Sequence, residues 1–208
     1  MEDLEVLPLP KPPADWKGRD GTHTPVGTYE PFAGTIPEKY NVKWDRPVDA
    51  PASVAFGWFT RPKSEGGLLA YYFKGEEGTG VHEYIQNGAI VMFGNNVNYE
   101  VVSISKDKPH NFTYRVFSTT IPAFTGLTAA IEWIPDANDP TKCTMVFQGQ
   151  FDNNAPCGVL SFVTKNVVIG VHAAEIEASY KSGEWKKWYK GPPIEGLPAT
   201  EGTPLTSD

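Results

Sequence analysis

The chain has 208 residues, 40% of them hydrophobic, and 25 acidic against 18 basic side chains give a formal net charge of −7. That length suits one domain of moderate size with a substantial core, and the negative balance argues against a surface built for nucleic-acid phosphates or anionic lipid head groups. Two cysteines, Cys143 and Cys157, are too few for a disulfide framework or a four-cysteine zinc site.

The N-terminus, "MEDLEVLPLPKPPADWKGRDG", is acidic and proline-rich and lacks the basic and apolar regions of a secretory signal. No apolar run, "GAIVMFG" included, is long enough to span a bilayer. These features predict a reduced, cytoplasmic protein without stable membrane insertion, and the sequon at Asn111 is read as coincidental. Residues 1–37 read as a proline-rich arm, lying over the domain or trailing from it. Residues 38–190 read as a single domain, and 191–208, "GPPIEGLPATEGTPLTSD", as a disordered tail.

From Glu38, "EKYNVKWDRPV" alternates so that Tyr40, Val42 and Trp44 share one face of a first strand. "DAPASVAFGWFT" offers Asp49 or Ser53 as a helix cap, but Gly57 and the β-branched residues leave helix and strand balanced. "GGLLAYYFKG", "GVHEYIQNGAIVMFG", "NYEVVSISKD" and "HNFTYRVFS" follow, each bounded by turn formers, as in an antiparallel meander. Two more strands, about 128–134 and 143–151, flank the turn "PDANDPTK". Alternation gathers Cys143, Met145 and Phe147 on one face, and Phe112, Tyr114 and Val116 match Ala129, Ile131 and Trp133 in the same way. Thr113, Arg115 and Glu132 fall opposite, so one face is predicted buried and one wet.

The pattern then changes to a helix predicted over Pro156–Ser182, with Asn153 or Asn154 as cap and Gly183 as stop. At 100° per residue, Ser161, Thr164, Lys165, His172, Glu175 and Ser179 form a polar stripe. The remaining arc, Val171 and Ala174 included, is mostly apolar, and only the buried face of the sheet is broad enough to cover it. Small residues such as Gly149, Gly170, Ala173 and Ala174 are expected to leave space between sheet and helix. Asn166 and Glu177 lie within the arc and either face that space or reach solvent at its edge.

The order of strands, then "YRV", then "AAIEWIPDANDPTKCTMVFQGQF", then a long C-terminal helix resembles the Bet v 1-like or START-like helix-grip superfamily (SRPBCC, polyketide cyclase-like). The resemblance covers about residues 38–182. It implies an α+β fold, a curved antiparallel sheet wrapped around the helix, with a central cavity for a hydrophobic or aromatic small molecule. Residues 53–73 depart from the family's usual pair of short helices, which keeps a lipocalin-like β-barrel with an external helix as the alternative.

No G-x-S-x-G elbow, P-loop, G-x-G-x-x-G or paired-histidine motif is present, so neither a cofactor nor a metal is predicted. His82 and Tyr84 share a strand face, fit for acid–base work and hydrogen bonding, or form an ordinary polar edge. Tyr114, Trp133 and Phe147 belong to the inner face, as pocket wall or as core. Cys157 reads as a small buried residue rather than a nucleophile, and in "YKSGEWKKWYKG" the tryptophans pin the helix end to the domain. The resulting function is binding of a polyketide-, terpenoid- or lipid-like molecule, with either carriage or a cofactor-independent cyclisation or isomerisation. Catalytic candidates are His82, Tyr114 and Glu177; ligand-binding candidates are Tyr84, Trp133, Phe147 and Asn166. A protein-interaction domain, with a homodimer as one of its forms, is the competing reading.

Overall fold

The computed structural model describes residues 32, 34–73, 85–94, 97–108, 110–119, 121, 124, 126–151, 164–189, 191 and 194. Most of the N-terminal arm, His82, Tyr84, Asn153, Asn154, Pro156, Cys157 and nearly all of the tail lie outside these residues.

Among the described residues seven strands form one antiparallel sheet: β1 (Val42–Val48), β2 (Leu69–Phe73), β3 (Ile90–Phe93), β4 (Val97–Ser103), β5 (Asn111–Thr119), β6 (Thr128–Pro135) and β7 (Cys143–Gln150). Their spatial order is β1-β7-β6-β5-β4-β3-β2, so β2 to β7 are the predicted meander and β1 returns to pair with β7. With β1 and β2 as free edges the sheet is open, which overturns the β-barrel alternative. The register puts Phe112 opposite Ile131 and Tyr114 opposite Ala129, on one face as alternation requires. In the β6–β7 turn, Asp136 Oδ1 accepts the N–H groups of Asn138 at 2.8 Å and Asp139 at 3.0 Å.

The balanced segment after β1 is a helix, α1 (Ala52–Thr60). Neither Asp49 nor Ser53 caps it; Pro51 occupies the N-cap position without a side-chain hydrogen bond. Burial decides for helix here, because all but Ser53 of its residues are buried, and α1 packs against β6 and the C-terminal helix. It ends where Pro62 forces Arg61 into an extended conformation, ψ 134°.

Among the described residues the C-terminal helix has two parts, a wide π-helical segment Thr164–Val171 and a regular helix α2 (His172–Ser182). Gly183, at φ 76°, stops it as predicted, and its N–H bonds to the Tyr180 carbonyl. The π segment closes i→i+5 bonds, so a phase counted at 100° per residue drifts. Val171 and Ala174, placed in the apolar arc, are exposed, whereas Ser179, placed on the polar stripe, is buried. The predicted tryptophan pin is present: Trp185, Trp188 and Tyr189 are buried, and the Arg61 guanidinium lies 4.6 Å over the Trp188 ring.

Two further expectations change. Gly149 leaves no gap, because a Cβ there would lie 3.0–3.3 Å from the side chains of Phe147, Val42 and Leu127, which already close over it. The outer face is not uniformly wet either: Ala70, Ile90 and Met92 point away from the main core yet form a second buried cluster, with Phe117 packed on it. Phe32, at the end of the arm, is docked on this outer side. Its N–H donates to Glu100 Oε2 at 3.0 Å and its ring lies 5.5 Å from the Arg115 guanidinium. The Asn111 side chain is spent on the Ser105 and Lys108 carbonyls and the Ser105 N–H inside a buried turn, which leaves no room for a glycan.

Candidate functional site

The inner face of the sheet meets α1 and the C-terminal helix along a row of aromatic rings. On β4 and β5, alternation turns Tyr99, Phe112 and Tyr114 inward, and β6 adds Trp133. Tyr99 and Tyr114 lie 4.6 Å apart between centroids, Tyr99 stacks on Phe112 at 6.4 Å, and Phe112 reaches Trp133 at 6.3 Å. From α1, Phe56 meets Trp133 edge-on at 5.4 Å, and Phe59 touches Trp133, Phe112 and His172. Such offset and edge contacts suit the quadrupoles of the rings and make one continuous apolar wall.

Polar atoms are set into this wall without partners. The Tyr99 hydroxyl and the Trp133 indole N–H are buried and have no hydrogen-bond partner among the described residues, on side chains only 3% and 1% exposed. Ser179 Oγ on α2 is in the same position. Buried groups of this kind are rare in a core filled by its own side chains, because each unmade bond costs about 1–3 kcal/mol. By contrast the Tyr71 hydroxyl is satisfied, donating to the Thr60 carbonyl at 2.5 Å. Burial raises both the Tyr99 and the Tyr114 phenols, with the neighbouring Tyr71 and Tyr114 adding to the rise at Tyr99. Both therefore remain hydrogen-bond donors throughout the neutral range.

His172 enters the site from the first turn of α2. Its ring is enclosed by Phe93 at 5.5 Å and by Trp58 and Phe59 at 5.8 Å, and its Nδ1 lies 3.3 Å from Glu175 Oε2. Burial lowers its pKa and the Glu175 bond partly opposes that. The ring is thus held mainly neutral, with one nitrogen oriented by a carboxylate, the form a general base takes.

The sequence candidates fall into separate places. Tyr114, half-buried, stands in the wall beside Tyr99, and Trp133 is at its centre. Phe147 is also inward but belongs to the β1 edge, stacked on Trp44 at 5.4 Å. Glu177 sits at another corner, where its carboxylate accepts the Asp49 N–H at 3.3 Å, and its charge adds to the burial that pushes the Cys143 thiol up to about 12. No bond joins Glu177 to Tyr114 among the described residues. Asn166 is exposed on the π segment. His82 and Tyr84 lie outside the described residues.

Two residues of the site escaped the sequence reading. Tyr99 was within reach, since the alternation applied to β5 and β6 also turns Val97, Tyr99 and Val101 of β4 inward. His172 was not, because the π segment shifts the phase that had set it on the polar stripe. Among the described residues no three His, Cys, Asp or Glu side chains are grouped so as to hold a metal ion, and no helix is long and apolar enough to cross a membrane.

No protein-family model matches the chain, and no curated protein matches it. Solved structures do. A protein of Nitrosospira multiformis is 14% identical, with 69% of this chain and 97% of that one covered at a TM-score of 0.50. Norcoclaurine synthase from Thalictrum flavum, solved with dopamine and hydroxybenzaldehyde, is 9% identical, with 68% and 86% covered at 0.45. CalU16 from Micromonospora echinospora is 8% identical, with 70% and 84% covered at 0.45. At such identities the likeness is one of architecture. With its open antiparallel sheet gripping a C-terminal helix, the chain has the Bet v 1-like helix-grip fold.

Proposed function

We propose that the protein binds a hydrophobic small molecule, polyketide-, terpenoid- or lipid-like, in a cavity between the inner aromatic wall and the C-terminal helix. The observation that carries this reading is the pair of donors without a partner among the described residues, Tyr99 OH and Trp133 Nε1, set into an otherwise apolar wall. Aromatic surface supplies affinity for a flat or chain-like molecule, and a few donors fix its orientation.

Carriage and catalysis use the same pocket. In the catalytic form Tyr114 donates a hydrogen bond to a carbonyl oxygen of the substrate as an enolate develops, and His172, oriented by Glu175, accepts the proton. A cofactor-independent cyclisation or isomerisation needs no more than that proton transfer and a substrate held in reactive geometry.

Native mass spectrometry of the protein purified from its source tests the proposal. A co-purified apolar compound, lost on denaturation, is the expected result. An empty monomer that also takes up no added aromatic ketone overturns it, and an empty stable dimer favours a protein-interaction domain instead.

A further inference from the structure

We infer that the ligand of this site carries a neutral carbonyl oxygen, received by the Tyr99 hydroxyl. The inference rests on the ligand-binding reading and narrows it to a chemical class: ketones, quinones, aldehydes or esters rather than pure hydrocarbons or carboxylates.

Three observations converge. First, the Tyr99 hydroxyl is buried and unpartnered among the described residues, while the nearby Tyr71 hydroxyl is already committed to the Thr60 carbonyl. A phenol donates one proton and accepts through its lone pairs, so the unmet requirement at Tyr99 is an acceptor atom. Second, the surroundings are rings: Tyr114 at 4.6 Å and Phe112 at 6.4 Å between centroids. A group received there is flat or slender and otherwise apolar. Third, the charged side chains of these strands point the other way. Glu100 and Arg115 face each other across β4 and β5 on the outer side, where they meet the Phe32 backbone and ring. A carboxylate brought to Tyr99 finds no cation on the inner wall beside it among the described residues, and an unpaired buried charge is far costlier than a neutral oxygen that accepts one hydrogen bond.

The same arrangement predicts an unusual response to losing the hydroxyl. When a tyrosine hydroxyl is bonded within its own protein, replacing it by hydrogen lowers stability. When the hydroxyl is buried and unpaired in the empty protein, its removal relieves a desolvation penalty.

The test compares wild type and Tyr99→Phe with two shape-matched pairs of probes, 9-fluorenone against fluorene and 2-tridecanone against tridecane. Binding is read by displacement of the neutral fluorophore N-phenyl-1-naphthylamine. The wild type is expected to prefer at least one ketone over its hydrocarbon by about three- to tenfold, the value of one hydrogen bond. Tyr99→Phe is expected to lose that preference, to keep hydrocarbon affinity and to melt, without ligand, no lower than wild type. Equal binding of ketone and hydrocarbon by the wild type, or a preference that survives in Tyr99→Phe, overturns the carbonyl assignment and leaves the hydrophobic site standing. A melting temperature lowered by more than a few degrees in the empty variant also overturns it, because the hydroxyl then has a partner in the protein. Failure of the fluorophore and of all four probes to bind overturns the ligand-binding reading and the carbonyl assignment together.

Discussion

On the β1-β7-β6 side of the sheet, outward residues such as Lys43, Asp45 and Ile134 are exposed, Ile134 by 44%, and the strands largely alternate as sequence periodicity expects, with buried Val146 and exposed Arg46 as departures. Toward the other edge, the outward residues Ala70, Ile90 and Met92 are 0–3% exposed, and even Asn98 is buried. The same antiparallel ladder thus runs through two environments, one half-wet and one closed on both faces. Strand β3 reads "IVMF", a continuous apolar run, and such a run marks a strand buried on both sides. A sheet is therefore not one environment, and its local pattern, strand by strand, says which half is which.

Paired substitutions put this contrast to its strongest test. Ile90→Asp is expected to cost about 3–5 kcal/mol or to prevent folding, since it places an unpaired charge in a closed cluster, whereas Ile134→Asp stays within about 0.5 kcal/mol. Urea denaturation midpoints read both, and equal costs would erase the distinction between the halves. A second comparison concerns the inner face at the wet end. Burial, with a smaller contribution from Glu177, pushes the Cys143 thiol up to about 12. In a Cys157→Ser background at pH 8, its labelling by a thiol reagent should be on the order of a thousandfold slower than in the unfolded chain; rapid labelling shows that the β7 start is open.

His172 sharpens the contrast at the closed edge, where it packs on Phe93 of β3. Its folded pKa is depressed by burial, so above the unfolded value of about 6.5 both states are neutral and stability is at its full level. As pH falls from there toward the folded pKa, the unfolded chain takes up a proton that the folded chain resists, and stability is lost. His172→Phe should flatten this part of the pH–stability curve, measured by thermal melts; an unchanged slope assigns the loss to other groups. A small loss is expected for Phe32→Ala, which removes the ring beside Arg115. A loss of about 0.5–1 kcal/mol matches a partly exposed cation–π contact, and no change in the melting curve means that the arm contributes nothing through this ring.

Much of the fold was legible, and the reasons are local. Alternation in "NFTYRVF", "TAAIEWI" and "CTMVFQGQ" set the inward residues and hence the register, because a slip of one residue would turn Tyr114, Trp133 and Met145 out to solvent. Gly183 ended the helix because a left-handed residue was needed there. The same alternation sets Tyr114, Trp133 and Phe147 on the inner face, the first two in the aromatic wall and Phe147 at the β1 edge. Pairing Tyr114 with Glu177 was a guess about distance, and residues 63 apart in the chain carry no local record of whether they meet.

By itself the sequence determined which residues face inward on each strand, where turns and the helix end fall, and that the buried surfaces are broad and aromatic, since these follow from periodicity and backbone preference. Tertiary structure alone decided that α1 is a helix, where burial outweighed a balanced propensity, and that the C-terminal helix shifts phase through its π segment and so delivers His172 to the wall. It also decided that Tyr99 and Trp133 keep buried donors unpaired among the described residues. Whether a polar atom finds a partner depends on contacts between distant segments, and that information is absent from any one of them.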